Sequence, residues 1–364
     1  MHLSVSLVAS APHDLSQFST GGHQLRSGQT RAIACTGRTG GELNHRTPDG
    51  IADAPGAGMP PDQTMPMAVV DGHIVPLSRP TRRKQLGRFG ELEVQTPLAR
   101  GGMGGVYLAA HRETGERVAL KVLDPQFAAY PEIVARLVAE HTIAASVAHP
   151  GLVEIREARF TDDGVPYLVM EHLEGETLGA IADRGEIELS TIIAVTAQVA
   201  AAVAALHAVG YVHCDVKHDN VFVTNDVVGG WPRVKVIDFG VSRAVDEPPL
   251  ADAAIAGTPW CMAPEQWSGA PTPKSDVYAL GCMLYDLTTG APPFDGSLPE
   301  LMTAHLEQRP ARPSWLRAMP IELERIILRA LAKDPAARPA MHEVAVALGV
   351  LVDQYTPIEV RRAG

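Results

Sequence analysis

The chain has few cysteines, and they lie far apart. The four are Cys35, Cys214, Cys261 and Cys282, which form neither a C-x-x-C pair nor the dense spacing of a small secreted domain. A disulfide framework and a structural zinc site are therefore not expected. We expect reduced thiols and a cytoplasmic location.

Positive charge is also scarce in this sequence. The chain carries 31 Lys and Arg residues against 42 Asp and Glu residues, a formal net charge of −11. Such an acidic balance argues against a protein that coats nucleic acid or an anionic membrane through its overall electrostatic field. We therefore expect no nucleic-acid partner.

No apolar run is both long and pure enough to predict a membrane span. The most apolar segment, 192–206, is short for a bilayer and contains Thr196 and Gln198, so we interpret it as a buried helix. The stretch from Leu3 to Ala11 lacks a basic leader and is interrupted by serines, which argues against a signal peptide. We also expect no membrane span after Asp353.

The composition changes near residue 87. Residues 1–87 are rich in Gly, Pro, Ser, Thr and His and lack sustained periodicity, which predicts a disordered extension. This extension carries eight basic and six acidic residues, so the rest of the chain has a net charge of −13. From Arg88 to Asp353 the patterns are dense, which predicts one folded domain followed by a short tail at 354–364.

Apolar periodicity predicts an α+β fold, with strands mainly before Gly175 and helices after it. The predicted strands are Glu91–Leu98, Gly105–His111, Arg117–Leu123, Leu152–Arg159 and Tyr167–His172. The predicted helices are Pro131–Val147, Thr177–Ala182, Ser190–Val209, Pro273–Gly290, Pro299–Glu307, Ile321–Ala332 and Met341–Leu351.

A glycine-rich segment, LARGGMGGVYLA at 98–109, lies between two predicted strands. Glycines let backbone amides approach phosphate groups, and a dinucleotide-binding turn would open a helix instead of a strand. The next strand ends in VALKV, where the ammonium of Lys121 could neutralise phosphate charge. Glu140 follows nineteen residues later on a predicted helix, where its carboxylate could hold Lys121. Either residue alone would be read as an ordinary surface charge.

A second polar segment, YVHCDVKHDN at 211–220, contains three candidates for chemistry. Asp215 is a candidate base for a hydroxyl group, Lys217 a candidate phosphate partner and Asn220 a candidate magnesium ligand. A polar loop between a helix and a strand is the alternative interpretation. The later motif VIDFG argues against that alternative, because Asp238 follows an apolar strand and supplies a second hard oxygen ligand.

Together with CMAPE, which ends at Glu265, these motifs strongly resemble the eukaryotic-type protein kinase family, particularly the bacterial serine/threonine kinases. The resemblance covers the chain from Arg88 to about Asp353. It implies a bilobal fold with ATP in the cleft between the lobes. The small lobe, 88–172, would hold a five-stranded sheet and one helix, and the large lobe, 173–353, would be mostly helical.

The resemblance also implies roles for individual side chains. Lys121 would hold the α- and β-phosphates and would be oriented by Glu140. Asp215 would orient the acceptor hydroxyl, and Lys217 would steady the γ-phosphate.

The cofactors that the resemblance implies are ATP and Mg²⁺, with Mn²⁺ as a possible substitute. Asn220 and Asp238 would bind the cation. Val106 and Ala119 would cover the adenine from one side and Phe222 from the other. The residues implied to line the nucleotide are Gly101, Gly102, Gly104, Val106, Ala119, Lys121, Met170, Glu171, Leu173 and Phe222.

Other matches concern architecture and substrate. Glu265 would pair with Arg338, and Asp276 would anchor the loop that carries Asp215. Lys217 together with Thr258 in GTPWCMAPE matches the serine/threonine branch of the family, so we expect protein substrates with serine or threonine acceptors. Cys261, preceded by Trp260, stands where relatives often have tyrosine, which leaves the substrate preference near that wall open.

One departure from the family pattern concerns activation. Cys214 replaces the arginine that usually precedes the catalytic aspartate and helps to receive a phosphorylated loop. Between Gly240 and Gly257 the only hydroxyl group is that of Ser242. We therefore hypothesise a loop that is ordered by packing of residues such as Leu250 and Ile255, without a phosphate switch.

Two alternative functions remain open from the sequence. Ala99 occupies the first position of the three-glycine loop, and Cys214 replaces the usual arginine. These two departures favour one alternative, a nucleotide-binding pseudokinase that acts as a signalling scaffold. A small-molecule phosphotransferase of the aminoglycoside kinase type is the other alternative, and GTPWCMAPE with Arg338 speaks against it. The extension offers candidate autophosphorylation sites at Ser16, Ser19, Thr20, Ser27 and Thr30.

Overall fold

The structure, a computed structural model, describes residues 67–70, 73–76, 88–185, 187–248 and 257–355. Several predictions fall outside these ranges, namely those on Cys35, Leu250, Ile255 and the candidate autophosphorylation sites. Within the predicted extension, β1 (Met67–Val70) and β2 (His73–Pro76) pair as an antiparallel hairpin. The sequence pattern does not predict this hairpin, because each strand is only four residues long.

A six-stranded antiparallel sheet forms most of the small lobe. Its strands are β3 (Arg88–Phe89), β4 (Leu92–Arg100), β5 (Gly104–His111), β6 (Arg117–Leu123), β7 (Ile155–Phe160) and β8 (Pro166–Glu171). Their order across the sheet is β3-β4-β5-β6-β8-β7. Five of them are the predicted strands, and the two-residue β3 is an addition too short to show periodicity. Phe89 nevertheless holds β3 in place, because its ring is buried 4.8 Å from that of Tyr167.

Helix α1 (Pro131–Ala145) packs against β7 and β8. Its proline lies in the first turn, where a missing N–H leaves no intrahelical bond unmade. Ile133, Leu137 and Ile143 are buried on its inner face. Glu140 shares that face and is 4% exposed, so the helix carries a carboxylate into the interior of the small lobe.

Helices dominate the large lobe. They are α2 (Leu178–Ala182), α3 (Leu189–Ala208), α4 (Pro273–Thr289), α5 (Leu298–Glu307), α6 (Ile321–Ala330) and α7 (Met341–Tyr355). All six coincide with predicted helices, and α7 continues four residues beyond its predicted end. Helix α4 is buried along most of its length, begins at the Thr272 cap and ends at Gly290, which has a φ of 80°.

Among the described helices, α3 is long and apolar enough to qualify as a membrane span by length and composition alone. In the structure much of it is buried in the large-lobe core, as we expect for segment 192–206; its buried residues include Ile192, Ile193, Val199, Val203 and Leu206. The buried hydroxyl of Thr196 donates to the Ile192 carbonyl at 2.6 Å, which satisfies it within the helix.

Short strands connect the helices to the cleft between the lobes. They are β9 (Gly175–Thr177), β10 (Tyr211–Val212), β11 (Val221–Val228), β12 (Trp231–Val236) and β13 (Arg243–Ala244). The sheet order is β12-β11-β9, and β10 pairs with β13. β11 begins directly after Asn220, and β12 ends two residues before Asp238. The β11–β12 hairpin therefore brings these two candidate ligands to the same end of the sheet.

Candidate active site

The loop between β4 and β5 is closed by a hydrogen bond from the Gly101 amide to the Gly104 carbonyl at 2.9 Å. Gly104 must lack a side chain, because a Cβ there would lie 2.1 Å from the Val122 carbonyl oxygen. A Cβ at Gly102 would meet nothing within 4 Å, so this side of the loop is open. Ala99 pairs with Val106 in the β4–β5 ladder, so its methyl group is accommodated in a strand.

The ammonium group of Lys121 lies between two carboxylates. Its Nζ is 2.8 Å and 2.7 Å from the carboxylate oxygens of Glu140, and 2.9 Å from Oδ1 of Asp238. The predicted contact between Lys121 and Glu140 is confirmed, and Asp238 joins it. Burial lowers the pKa of Lys121, but the two carboxylates outweigh burial and raise that pKa above its usual value. Lys121 is therefore a fixed positive charge.

The two carboxylates respond to this site in opposite ways. Burial raises the pKa of Glu140 to about 7, against the opposing effect of Lys121. The Lys121 ammonium lowers the pKa of Asp238 to about 2. The side chain of Glu140 is 5% exposed, whereas that of Asp238 is 48% exposed. Asp238 is thus the ionised carboxylate that faces the cleft.

Asp215 is the centre of a second cluster, in the loop between β10 and β11. Its Oδ1 accepts a hydrogen bond from the Thr258 hydroxyl at 2.6 Å. Its Oδ2 lies 2.8 Å from Nζ of Lys217 and accepts from Nδ2 of Asn220 at 3.0 Å. Burial lowers the pKa of Lys217, but the Asp215 carboxylate produces a net rise. Three donors from two segments therefore fix one buried carboxylate.

The backbone of this loop is held from helix α4. The carboxylate of Asp276, which is fully buried, accepts from the amides of His213 and Cys214 at 2.8 Å each, and lies 2.7 Å from Nε2 of His207. Gln266 donates to the Cys214 carbonyl at 2.9 Å. These bonds stabilise a φ of 67° at Cys214, which non-glycine residues rarely adopt. The predicted anchoring by Asp276 is confirmed.

The two clusters meet through the backbone. The amide of Ile237 donates to the Asn220 carbonyl at 2.9 Å, and the rings of His213 and Phe239 are 5.7 Å apart. Asp238, which lies between Ile237 and Phe239, has a φ of 66°. Asn220 and Asp238 are therefore carried by adjacent segments of chain.

Two hard oxygen atoms at this junction fit a divalent cation. Nδ2 of Asn220 is used by Asp215, which leaves Oδ1 as the acceptor of that amide. Oδ1 of Asp238 accepts from Lys121 and from the Gly240 amide, which leaves Oδ2. Over the ranges that the structure describes, no group of three or more His, Cys, Asp and Glu side chains could hold an ion. A cation here would thus take its other ligands from phosphate and water, as Mg²⁺ commonly does.

Apolar residues on strands of both lobes lie beside these clusters. Val106 on β5 pairs with Lys121 on β6, and Ala119 pairs with Met170 on β8. Phe222 on β11 belongs to the large lobe. Four residues of the predicted adenine site, Val106, Ala119, Met170 and Phe222, therefore lie on strands of the two lobes.

Glu171, the last residue of β8, and the linker that follows it make some of their polar contacts within the protein. The amide of Glu171 donates to the Glu154 carbonyl at 3.0 Å, so that amide is occupied. The Glu171 carboxylate accepts from Lys235 at 2.5 Å, and Leu173 packs on the large-lobe core. Any adenine contact from this linker would come from its other backbone groups.

The predicted pair of Glu265 and Arg338 is confirmed. Nη1 and Nη2 of Arg338 donate to the two carboxylate oxygens of Glu265 at 2.7 Å and 2.9 Å. The Arg338 side chain is 0% exposed and also donates to the carbonyls of Lys274, Ala332 and Lys333. The segment that ends in Glu265 is thereby fixed to the base of the lobe.

Sequence reasoning misses the role of Arg243 on β13. Its Nε lies 3.4 Å from the Glu247 carboxylate, and its two Nη groups donate to the carbonyls of Gly269 and Pro248. The residue is 8% exposed. No spacing rule signals these contacts, because two of the three partners are backbone carbonyls that only the fold brings near.

A stacked pair beside the Asp215 loop is missed as well. The rings of His218 and Trp260 are 5.1 Å apart and inclined by 20°. Burial lowers the pKa of His218, but the carboxylates of Asp219 and Asp286 raise it to about 9. Residues 218 and 260 are distant in sequence, so the pattern of either segment gives no sign of the contact.

Comparison with known proteins agrees with this geometry. The profile of the protein kinase domain matches residues 92–347. The chain is 41% identical to serine/threonine-protein kinase Pkn1 of Myxococcus xanthus over 258 residues, which are 70% of this chain and 37% of that protein. It is 36% identical to PkaA of Streptomyces coelicolor over 71% of this chain and 50% of that protein.

A third relative extends the comparison to another genus. The chain is 36% identical to serine/threonine-protein kinase PknA of Mycobacterium tuberculosis, over 68% of this chain and 58% of that protein. The matches thus span between about a third and three fifths of the relatives' own lengths. The matched family profile and the confirmed contacts of its motifs lead to one conclusion: this chain belongs to the protein kinase family, among the eukaryotic-type serine/threonine kinases of bacteria.

Proposed function

We propose that this chain transfers the γ-phosphoryl group of ATP to serine or threonine hydroxyls of protein substrates, with the help of a divalent cation. One observation carries the proposal: the cluster around Lys121 and the cluster around Asp215 meet where the Ile237 amide bonds the Asn220 carbonyl. The first supplies a fixed positive charge and the second a fixed carboxylate. Phosphoryl transfer depends mainly on such positioning and charge stabilisation.

Three side chains would act directly on the reacting groups, and Glu140 would position one of them. Lys121 would hold the α- and β-phosphates, since Glu140 fixes its ammonium in the cleft. Asp215 would accept a hydrogen bond from the acceptor hydroxyl and orient it. Lys217, which lies beside Asp215 and Thr258, would steady the γ-phosphate. Turnover of about 1 to 100 per second is usual for protein kinases.

Asn220 and Asp238 would hold the cation, Mg²⁺ or alternatively Mn²⁺. The low pKa of Asp238 keeps its carboxylate ionised at neutral pH, and its exposure lets an ion reach Oδ2. When bound, a divalent cation draws negative charge from the phosphoryl group in transfer.

The nucleotide would lie between the lobes. The glycine-rich loop at Gly101, Gly102 and Gly104 would cover its phosphates, because a Cβ at Gly102 would meet nothing within 4 Å and the loop is open there. Its adenine ring would lie among the apolar side chains of Val106, Ala119, Met170, Leu173 and Phe222.

Several features support a serine or threonine acceptor on a protein. Thr258 and Lys217 share one hydrogen bond beside Asp215, and the three compared relatives are named serine/threonine-protein kinases. We also propose that the enzyme works in the cytoplasm. Autophosphorylation within residues 16–30 remains part of the proposal, which phosphopeptide mapping after incubation with ATP would test.

We further propose that the segment after Asp238 is ordered without phosphorylation. Burial raises the pKa of the Cys214 thiol, so this position carries no charge that could receive a phosphate. The nitrogen atoms of Arg243 already contact Glu247 and two backbone carbonyls, so they are not available to a phosphate group. The Ser242 hydroxyl is partly buried and donates to the His213 carbonyl at 3.2 Å. Each observation favours a segment that needs no added charge.

Phosphatase treatment tests this second point. We expect the treated enzyme, with an unmodified 241–257 segment by mass spectrometry, to keep its turnover within twofold. Loss of most turnover on treatment, with recovery after incubation with ATP, would refute it.

Radiolabelled ATP and a generic basic acceptor protein test the main proposal. We expect incorporation by the wild type and by Arg117→Met, which removes only an exposed ion pair with Glu174. Asp215→Asn and Lys121→Met should lower incorporation by at least a hundredfold. Equal background labelling by all four proteins would refute the kinase and favour a nucleotide-binding scaffold.

A further inference from the structure

The His218 side chain occupies a notch formed by three parts of the large lobe. It stands at the start of the 3₁₀ turn His218–Asn220, and its ring stacks on Trp260. Its Nδ1 lies 3.5 Å from Oδ2 of Asp219, and its Nε2 lies 3.4 Å from Oδ2 of Asp286 on α4. One imidazole therefore contacts an indole and two carboxylates at once.

Helix α2 closes the notch from another side. A Cβ added at Gly179 would lie 2.8 Å from Nδ1 of His218 and 2.7 Å from Oδ1 of Asp219. Gly179 lies in an ordinary helical turn, so the close approach, not backbone freedom, is the reason for glycine here. The ring is thus enclosed by α2, α4 and the 3₁₀ turn Pro259–Cys261.

This ring has no part in the chemistry proposed above. Asp215, Lys217, Asn220 and Thr258 contact one another without it. Its location beside them is nevertheless informative, because its stacking partner Trp260 follows Thr258 by two residues.

The two carboxylates beneath the ring are partly accessible. The Asp219 side chain is 44% exposed, that of Asp286 is 21% exposed, and that of His218 is 20% exposed. Without the imidazole, both carboxylates would border one notch near the acceptor site. A guanidinium is the group best shaped to pair with two such carboxylates.

We propose that His218 is a specificity-determining residue, which supports Trp260 as a wall of the peptide groove and covers Asp219 and Asp286 against cationic substrate side chains. The inference rests on the proposed function, since it names a selectivity of that same cleft. It follows that the wild type has little preference for arginine near the acceptor, and that a small residue at position 218 creates one.

Peptide kinetics with the full chain test this inference. One serine peptide with glutamine at each flanking position is compared with variants that carry a single arginine at each position in turn. For His218→Ala we expect the ratio of kcat/KM for one arginine peptide over its glutamine parent to rise at least tenfold. The KM for ATP should stay within twofold of the wild type, which a general disturbance of the site would not allow.

Two further variants separate the mechanism from loss of structure. His218→Arg should keep the wild-type ratio of kcat/KM for the arginine peptide over its glutamine parent. The new guanidinium can stack on Trp260 and pair with the carboxylates of Asp219 and Asp286. Asp286→Asn in the His218→Ala background should remove most of the new arginine preference. A His218→Ala enzyme that loses kcat equally on all peptides, with no change in ratio, would overturn the proposal.

Binding measurements keep this test distinct from the test of the proposed function. Fluorescein-labelled arginine and glutamine peptides are titrated onto Asp215→Asn, alone and combined with His218→Ala. We expect the double variant to bind one arginine peptide at least fivefold more tightly than its parent, whether or not the wild type has activity. Equal affinity for both peptides in both proteins would overturn the inference even if kinase activity is confirmed.

Discussion

Thr258 donates its hydroxyl hydrogen to Asp215 at 2.6 Å, across 43 residues of sequence. The same oxygen accepts from Lys217 at 2.6 Å, so one hydroxyl joins the carboxylate to the ammonium. The sequence marks Thr258 only as a sign of the serine/threonine branch. The structure adds a physical role, because this hydroxyl links the loop of Asp215 to the segment that leads to Glu265.

Removal of the Thr258 hydroxyl should slow the proposed reaction. Thr258→Val keeps the volume but leaves Asp215 and Lys217 each without one partner, and hydrogen bonds to charged groups contribute about 1.5–3 kcal/mol. We expect kcat to fall roughly tenfold to a hundredfold, with the KM for ATP nearly unchanged. Steady-state kinetics measure this, and Thr258→Ser should recover most of the rate. A valine variant with wild-type kcat would contradict the assigned role.

The ion pair of Arg338 and Glu265 should dominate the stability of the large lobe. Arg338→Met leaves the largely buried Glu265 carboxylate without its cation, although it keeps the Ser275 hydroxyl, and removes the donor of three backbone carbonyls, which should lower the free energy of unfolding by about 3–5 kcal/mol. Urea unfolding followed by circular dichroism measures the change. The matched control is Arg117→Met, whose ion pair is exposed and should contribute less than about 1 kcal/mol. Equal effects of the two substitutions would refute this argument.

Arg243 should hold the segment 243–248 in place. Arg243→Met leaves the buried Gly269 carbonyl without this donor, at about 1–3 kcal/mol, and removes the bond to the exposed Pro248 carbonyl, so we expect kcat to fall about tenfold. Hydrogen exchange of amides 244–247 should become faster by a similar factor. Glu247→Gln should have a much smaller effect, because Glu247 is half exposed, and Arg100→Met serves as an exposed control. Unchanged exchange in Arg243→Met would argue against this tether.

His305 should make the stability of the large lobe sensitive to acid. It is 0% exposed, and burial together with the nearby Lys333 ammonium lowers its pKa from 6.5 to about 4. Its other neighbours are the Tyr278 hydroxyl at 3.0 Å, the Trp260 backbone and the rings of Trp267 and Phe294. Below about pH 6.5 the unfolded state therefore binds a proton at His305 that the folded state does not bind. The contribution of neutral His305 to the free energy of unfolding is fully present above about pH 6.5 and is lost as the pH falls towards 4.

His305→Gln gives the measurement that isolates this effect. Between pH 7.5 and pH 4.5 we expect the wild type to lose about 2–3 kcal/mol more stability than the variant, as judged by urea unfolding at each pH. Parallel loss of stability in both proteins would show that His305 does not titrate in this way.

The sequence predicts the parts of this site that short motifs define. Lys121, Glu140, Asp215, Asn220 and Asp238 lie in recognisable segments, and the contacts of Lys121 with Glu140 and of Asp276 with the Asp215 loop are confirmed. Long helices and strands are predicted as well, because their periodicity repeats over several turns or alternations. The functional roles of these residues stay predictions until activity is measured.

Contacts that depend on tertiary approach are not predictable from the pattern. The stack of His218 on Trp260 and the bonds from Arg243 to two carbonyls join segments that share no periodicity. The short strand β3 is not predicted, because two residues cannot show an alternation of apolar and polar side chains. The sequence does not predict the positive φ values of Cys214 and Asp238, because neither residue is glycine. The surrounding hydrogen bonds in the structure show why these values are tolerated.

Helix α4 supplies one common frame for interactions that seem separate. Its first turns place Ser275 against Glu265 and Asp276 under the loop of Asp215, and its later turns place Asp286 beside His218. Because all three contacts start from one helix, the helical rise sets their mutual spacing. The alignment of the proposed site therefore depends on one buried helix, and a substitution in its middle should disturb both the proposed phosphoryl transfer and the proposed peptide selection.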